Sequence, residues 1–323
     1  MSMALSASSR RAGASTRKPR VLRAGSRLRV ISPASPGDEA ETERGLAELR
    51  RLGFSVEHAS QGASVGYFAA SAEERRAEFV STLADERIDG VIALRGGYGS
   101  NYLLDERLSA EIGKQKCVIG FSDMTSLQIF LWQRCGWTSI YGPMVGAGLA
   151  AGAGCNKGYD EASFLKTIGT PDGGWQLTLE AEVLSSGEAE GRLLGGCMTL
   201  LETTLGTPWE LDTRDSILVL EDRGMKPWQV DRALMHLRQA GKFEGVRGIV
   251  LGDFPDCKPP IEGSPTVRDV CVRILKPLGV PIVFGAAIGH TLNPMLTIPL
   301  GVRAQVRATG GALLEILEPA VVE

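Results

Sequence analysis

The chain of 323 residues is long enough to bury a large core, which favours two domains or one large α/β domain. Its net charge of -3 gives neither the basic field of a nucleic-acid-binding protein nor an acidic tail, so a small molecule or peptide is the expected partner. No stretch approaches about 18 consecutive apolar residues, so no membrane span is expected. The six cysteines lack CxxC spacing and predict free thiols in a reducing compartment, the cytoplasm.

Residues 1–20 are rich in Ser, Ala and Arg and contain no acid. No apolar segment follows their charges, which argues against a secretory signal peptide. Organelle transit peptides share this composition, but we interpret these residues as a disordered basic extension.

Strands and helices alternate in the first half of the chain. A strand is predicted around residues 28–31, and Asp38 with Glu41 marks the start of the helix that follows. Another strand is predicted at residues 89–94. This alternation predicts an amino-terminal open α/β domain with a mainly parallel sheet over residues 21–150.

The glycine-rich loop RGGYG, residues 95–99, follows one of these strands. In an open α/β sheet, ligands bind at the carboxyl ends of the strands. The loop lacks the full GxGxxG spacing, so dinucleotide binding is a weak interpretation. A tight turn alone would explain the glycines, whereas a functional interpretation makes the Gly97 backbone N–H an oxyanion donor.

A single serine stands at a strand-to-helix corner in VIGFSDM, residues 118–124. This corner exposes the Ser122 hydroxyl above the sheet and points the Asp123 backbone N–H toward an approaching oxygen. We therefore predict that Ser122 is a nucleophile. The elbow of α/β-hydrolases is GxSxG, and Met124 replaces its last glycine, which predicts a different scaffold.

The second half of the chain follows a stretch of poor periodicity. Residues 151–187 contain glycine-rich turns and predict a linker, with the domain boundary near residue 170. Residues 188–323 combine helix-connected strands with an alternating pattern at 301–317 that predicts a terminal β-hairpin. The second domain is therefore predicted to be a β-rich α/β domain.

A catalytic serine needs a base, and the chain has three histidines. His236 is turned away from the apolar face of its helix, and His58 follows a short strand, so we interpret them as a surface and a loop residue. His290 follows a strand, in the glycine-rich loop GAAIGH. It does not fall on the packed face of a helix or a strand. It is the predicted base.

Glu221 follows a buried strand and is the predicted acid that orients the base. Asp123 is better placed to cap the helix beside it, and Asp222 faces the opposite way from Glu221 on an extended strand. Catalysis requires His290 within hydrogen-bond reach of both Ser122 and Glu221. Without HExxH or clustered cysteines, no metal site is expected.

Several motifs follow one another along the chain: RGGYG (95–99), GFSD (120–123), YGPM (141–144), GRLLGG (191–196), LGTP (205–208), LEDRGMKPWQVDRAL (220–234) and GAAIGH (285–290). Each motif alone is weak, but their joint pattern is specific. Together they resemble the LD-carboxypeptidase family of serine peptidases, which also contains the microcin C immunity peptidases.

The resemblance implies a catalytic triad at the meeting of the two domains, formed by Ser122, Glu221 and His290. It implies that the oxyanion donors are the backbone amides of Gly97 and Asp123. It also implies that the enzyme needs no metal or organic cofactor and is commonly a homodimer.

The substrate that the resemblance implies is a murein tetrapeptide, which loses its terminal D-alanine by hydrolysis of an L,D-peptide bond during cell-wall recycling. A guanidinium suits the free carboxylate of such a substrate, and Arg95 and Arg223 adjoin the predicted site. One alternative is a microcin C immunity-type peptidase that cleaves peptidyl- or aminoacyl-nucleotide conjugates. Another is a non-catalytic ligand-binding protein in which Ser122 only caps a helix.

Three positions depart from residues that family members often carry. Tyr141 stands in place of His, Cys197 in place of Asn, and Asn101 in place of Arg. These departures leave the triad intact. They concern the substrate pocket and leave the subfamily open.

Overall fold

The computed structural model describes residues 16–59 and 64–323, which form two β-sheets with helices packed against them. The strands are β1 (Arg27–Ile31), β2 (Ser55–His58), β3 (Gly90–Ala93), β4 (Cys117–Gly120), β5 (Ser139–Tyr141), β6 (Trp175–Thr178), β7 (Glu182–Ser185), β8 (Gly187–Cys197), β9 (Ser216–Glu221), β10 (Gly248–Gly252), β11 (Ile282–Ala286), β12 (Ile298–Leu300), β13 (Arg303–Ala308) and β14 (Leu313–Ile316). The α-helices are α1 (Glu39–Arg51), α2 (Ala72–Ala84), α3 (Leu108–Glu111), α4 (Met124–Phe130), α5 (Glu161–Gly169), α6 (Met198–Thr203), α7 (Pro227–Gln239) and α8 (Val267–Leu275). Shorter 3-10 helices cover Ser100–Leu103, Leu149–Ala151 and Lys276–Leu278, and a π-helical turn, Leu131–Cys135, extends α4.

The first sheet has six strands in the order β12-β5-β4-β3-β1-β2. Strands β1 to β5 are parallel, and only β12 runs antiparallel, against β5. Strands β3 and β4 are buried at every residue, as expected for the centre of a parallel sheet that is covered on both faces. Asp38 accepts a hydrogen bond from Glu41 N (2.9 Å) and thereby caps α1 as predicted.

The second sheet has eight strands in the order β6-β14-β13-β8-β9-β10-β11-β7. Its centre, β8 to β11, is parallel, and the flanking strands are antiparallel. The predicted terminal hairpin is confirmed as the antiparallel pair β13 and β14. The two sheets together confirm the predicted fold class of a mainly parallel α/β unit beside a β-rich α/β unit.

No single position in the sequence separates the strands of the first sheet from those of the second. Residues 151–187, predicted to be a linker, contain α5 and the strands β6 and β7, which form the two edges of the second sheet. Their poor periodicity follows from their being short edge strands with several exposed residues. Strand β12 lies in the carboxyl-terminal part of the sequence but pairs with β5 in the first sheet.

The described amino-terminal residues pair with distant parts of the chain. Residues 1–15 of the predicted extension lie outside the described residues. Residues 16–20 differ from the prediction of disorder, because Arg17 N donates to Gly136 O (2.8 Å) and Val322 N donates to Pro19 O (2.8 Å). No helix in the part of the chain that the structure describes has the length and apolarity needed to cross a membrane.

Candidate active site

The carboxyl ends of parallel strands from both sheets open onto one cavity of about 630 Å³. Residues after β3 and β4 line it from the first sheet, and residues at or after β8, β9 and β11 line it from the second. This is the edge at which open α/β sheets bind ligands. Its lining includes Arg44, Arg95, Gly96, Gly97, Ser122, Lys157, Cys197, Asp222, Arg223 and His290.

Ser122 occupies a strained corner between β4 and α4. Its φ of 62° lies in the left-handed region, which is costly for a residue with a side chain. Close packing on both sides of this corner requires glycine. A Cβ on Gly120 would lie 2.7 Å from Met124 Cγ, and a Cβ on Gly96 would lie 2.8 Å from Ser122 Oγ. The predicted strand-to-helix corner is therefore present and packs directly against the RGGYG loop.

The RGGYG loop is held by residues from the turn after β1 and from α2. Gly97 has a φ of 107°, and a Cβ there would lie 2.4 Å from Ser35 Oγ, so only glycine fits. Ser35 Oγ accepts a hydrogen bond from Tyr98 N (3.2 Å), and Arg75 donates to Gly99 O (2.7 Å). No acceptor in residues 16–59 or 64–323 takes a hydrogen bond from Gly97 N or Asp123 N.

The Asp123 side chain does not cap α4, contrary to the prediction. Its carboxylate is buried and accepts a hydrogen bond from Ser100 N (2.7 Å), at the start of the neighbouring 3-10 helix. Ser100 Oγ in turn donates to Asp123 O (2.6 Å). Burial raises the pKa of Asp123, which these bonds only partly offset. Asp123 therefore joins the serine corner to the chain that follows the RGGYG loop.

Glu221 and His290, which are far apart in sequence, are hydrogen-bonded to each other. Glu221 Oε2 lies 2.7 Å from His290 Nδ1 and accepts a second bond from His290 N (2.9 Å). Glu221 is completely buried at the end of β9, and the His290 side chain is 13% exposed. Phe121 packs edge-on against the His290 ring, with the ring centroids 5.1 Å apart. Two of the three predicted triad residues are thus in contact.

The third residue, Ser122, lines the same cavity as His290, but among the described residues no hydrogen bond joins the two. The expected contact of His290 with both partners is therefore present only toward Glu221. His236 is exposed as predicted and pairs with Glu202 Oε1 (2.8 Å). His58 is not a loop residue, because it ends β2 and pairs with Val30.

Asp222, directly after β9, has hydrogen-bond partners of its own and does not bond to His290. It accepts hydrogen bonds from Thr199 N (2.9 Å) and Thr199 Oγ1 (2.6 Å). Burial and the nearby charge of Glu221 raise the pKa of Asp222. Within the described residues, no three His, Cys, Asp or Glu side chains form a group that could hold a metal ion.

The two arginines predicted to bind substrate differ in their pairing. Arg223 forms an ion pair with Asp256 (3.1 Å). Arg95 donates to Pro36 O (3.2 Å), and no carboxylate of the described residues lies within ion-pair distance of it. The exposed tryptophan, Trp228, does not line the cavity but stacks with Arg232.

The sequence interpretation missed the role of Tyr141 in the structure. Tyr141 is fully buried at the end of β5, and its hydroxyl donates to Glu221 Oε1 at 2.5 Å. The only signal for it in the sequence was a tyrosine where family members often have histidine, directly before Gly142 and Pro143.

Two family models match the chain, one on each side of residues 143–189. The LD-carboxypeptidase N-terminal domain matches residues 28–142, and the LD-carboxypeptidase C-terminal domain matches residues 190–306. A relative from Bacillus subtilis, described as a probable murein peptide carboxypeptidase, is 32% identical over 297 residues, which are 89% of this chain and 90% of the relative. The chain belongs to the LD-carboxypeptidase family. This membership confirms the predicted family and supports a serine peptidase, a hydrolase.

Solved structures of similar fold agree with this assignment. The muramoyltetrapeptide carboxypeptidase from Oxalobacter formigenes is 26% identical with a TM-score of 0.79, and the match covers 91% of this chain and 99% of that protein. MccF in complex with glutamyl sulfamoyl guanosine is 23% identical with a TM-score of 0.83, covering 94% of this chain and 99% of that protein. At this identity the second likeness shows the two-domain fold alone.

The LD-carboxypeptidase site depends on one close approach of backbone to carboxylate, at Gly289. A Cβ there would lie 2.4 Å from Glu221 Cδ, and the φ of Gly289 is 71°. We expect Gly289→Ala to lower the free energy of unfolding by about 2–5 kcal/mol, through backbone strain and overpacking. Urea denaturation measures this change.

Gly263→Ala is the matched control for that variant. Gly263 has a similar φ of 80°, but a Cβ there meets nothing within 4 Å. The free energy of unfolding of this variant should fall only by the backbone strain, about 1–2 kcal/mol. Equal losses in the two variants would contradict the close contact between Gly289 and Glu221.

Proposed function

We propose that this protein is a serine carboxypeptidase that hydrolyses the terminal L,D-peptide bond of murein tetrapeptides and releases D-alanine. The observation that carries the proposal is the buried Glu221–His290 hydrogen bond, 2.7 Å long, at the cavity that Ser122 also lines. The choice of substrate rests on the Bacillus subtilis relative at 32% identity and on the Oxalobacter structure at 26%. The likeness to MccF concerns the fold and does not favour a nucleotide conjugate.

In the proposed mechanism His290 removes the proton of Ser122, and Ser122 Oγ attacks the carbonyl carbon of the scissile bond. Glu221 accepts the hydrogen bond from His290 Nδ1, which leaves Nε2 as the base and stabilises the imidazolium that forms. His290 then gives the proton to the leaving amine of D-alanine. Water, activated by the same imidazole, hydrolyses the acyl-enzyme. The hydrogen bond between serine and histidine forms when substrate is bound, since such bonds are often loose in the free enzyme.

Two backbone amides are proposed to hold the oxyanion of the tetrahedral intermediate. Gly97 N and Asp123 N donate to no acceptor in the described residues, and the loops that carry them pack together through Gly96 and Ser122. A fixed, unpaired N–H at the place where negative charge develops is worth about 3 kcal/mol of barrier height.

Three cations that line the cavity favour an acidic peptide. Arg44, Arg95 and Lys157 each have no carboxylate of the described residues within ion-pair distance. Arg223 also lines the cavity, but it is already paired with Asp256. We therefore propose Arg95 as the main ligand of the substrate's terminal carboxylate, with Arg223 as a secondary one.

We propose a cytoplasmic location and a homodimer for this protein. The location is supported by the six cysteines without CxxC spacing, all of which are free thiols in the structure. The homodimer is supported by the family's common assembly. Analytical ultracentrifugation of the full chain tests the assembly directly.

Ser122→Ala should lower turnover of the murein tetrapeptide by at least about a thousandfold, because it removes the nucleophile. Ser126→Ala is the matched control. Ser126 is buried on α4, and its Oγ has no hydrogen-bond partner among the described residues, so this variant should retain turnover within about twofold. Steady-state release of D-alanine measures both. Full turnover in Ser122→Ala, with the fold intact by circular dichroism, contradicts a serine mechanism. Binding of the tetrapeptide by the wild type without any release of D-alanine favours a binding protein.

Comparing two substrates tests which bond the enzyme cleaves. We expect efficient release of D-alanine from the murein tetrapeptide and little cleavage of an aspartyl-nucleotide conjugate, because no exposed tryptophan of the described residues lines the cavity to stack a base. Mass spectrometry of both reactions gives the ratio of kcat/KM values. Efficient cleavage of the conjugate alone would overturn the proposed substrate.

Arg95→Gln should lower kcat/KM for the tetrapeptide by about tenfold or more, because it removes a charged hydrogen bond to the terminal carboxylate. Arg223→Gln should cost less, since Asp256 already occupies that guanidinium. With a tetrapeptide that ends in D-alaninamide, wild type and Arg95→Gln should be equally slow. A loss in Arg95→Gln that persists with the amide would remove Arg95 from carboxylate recognition.

A further inference from the structure

Tyr141 joins the two sheets of the site through its hydroxyl group. It ends β5 in the first sheet, where it pairs with Gly120, two residues before Ser122. Its hydroxyl reaches across to Glu221, at the end of β9 in the second sheet, and donates to Oε1 at 2.5 Å. Tyr141 and Glu221 are both completely buried. The bond is therefore protected from water.

The same hydroxyl also accepts a hydrogen bond from the serine corner. Ser122 N donates to Tyr141 Oη at 3.4 Å, which is a long bond. A hydrogen-bonded series thus runs from the Ser122 backbone through Tyr141 and Glu221 to His290 Nδ1. It connects the nucleophile's backbone to the acid and base on the other sheet.

The two oxygens of the Glu221 carboxylate have separate partners. Oε1 accepts from Tyr141, and Oε2 accepts from the backbone N–H and the ring of His290. The terminal torsion of a glutamate has a broad energy profile, so the plane of the carboxylate is set by its hydrogen bonds. Without the bond to Oε1, the carboxylate would be oriented by hydrogen bonds to Oε2 alone, both of them from His290.

Tyr141 keeps its proton and so stays a donor. Burial and the charge of Glu221 raise the pKa of Tyr141 well above its usual range. The ring is closely packed as well: Phe121 lies edge-on to it at 6.3 Å between centroids, and a Cβ on Gly196 would lie 3.0 Å from Tyr141 Cε2. The hydroxyl is therefore held in position by its own ring.

We propose that Tyr141 is a positioning residue for the proposed serine peptidase reaction, holding the Glu221 carboxylate so that Oε2 faces His290 Nδ1. The inference rests on the proposed Ser122, Glu221 and His290 mechanism and adds a fourth residue to it.

Tyr141→Phe removes the hydroxyl and leaves the ring in place. We expect kcat for the tetrapeptide to fall about 10- to 100-fold with KM within about twofold, because a charge-assisted hydrogen bond is lost away from the substrate. Tyr159→Phe is the matched control, since Tyr159 is also fully buried and donates to Glu48 Oε1 at 2.7 Å. It should lose similar stability and retain wild-type kcat.

The pH profile separates positioning from a merely structural role. A carboxylate that no longer faces Nδ1 stabilises the imidazolium less. The acid limb of kcat/KM should therefore move to lower pH in Tyr141→Phe and stay unchanged in Tyr159→Phe. Cys197 and Asp222 are further titratable groups that interact with Glu221, and both remain in these variants.

The rate of labelling of Ser122 by a fluorophosphonate measures serine activation without peptide recognition. Slower labelling of Tyr141→Phe than of wild type and Tyr159→Phe supports the proposal even where the tetrapeptide is not the substrate. Labelling and kcat of Tyr141→Phe within about twofold of wild type, with an unmoved acid limb, would overturn it. So would a wild-type enzyme that the probe does not label at Ser122, because no activated serine would then exist to position.

Discussion

The arrangement of the site depends on a carboxylate that is completely buried, that of Glu221. A buried charge is costly unless hydrogen bonds replace its water, and Glu221 has three donors: the Tyr141 hydroxyl, the His290 backbone N–H and the His290 ring. Room for it exists only because two neighbours lack side chains. A Cβ on Gly252 would lie 2.6 Å from Glu221 Cβ, and one on Gly289 would lie 2.4 Å from Glu221 Cδ. The donors and the glycines come from different elements, so the charge is tolerated only in the assembled fold.

Strand ends were predictable from the sequence because each has a strong local pattern. Ser122, Glu221 and His290 each follow an apolar run, and the carboxyl ends of parallel strands meet at one edge. Strand partners were not predictable in the same way. Strand β12 has three residues and β6 has four, which is too short for a clear period, and β12 joins a sheet whose other strands lie far earlier in the chain. The hydroxyl bond of Tyr141 depends on how the two sheets dock, and no local pattern encodes that.

The serine corner shows how a different scaffold provides the same geometry as the hydrolase elbow. In GxSxG the last glycine lets helix and strand approach, but here Met124 occupies that place. The first glycine of that pattern is kept as Gly120, where a Cβ would meet Met124 Cγ at 2.7 Å. Asp123, which the sequence indicated as a cap for its own helix, instead binds Ser100 N after the RGGYG loop. The strained Ser122 is thus fixed by contacts on both sides rather than by its own helix.

His290 lies on the connection between β11 and β12, and this connection passes from the second sheet to the first. Its position is therefore set by both sheets. The backbone of the same connection is held by further bonds: Lys157 N donates to Leu292 O (3.0 Å), and Thr291 Oγ1 donates to Asp253. A second bond between the sheets, from Cys197 N to Thr125 Oγ1 (3.1 Å), ties the end of β8 to α4, directly behind the serine corner. Any movement of one sheet against the other would shift the base relative to the serine. The catalytic rate therefore depends on the close packing of the two sheets, since a displacement of about 1 Å at reacting groups lowers rates by about a hundredfold.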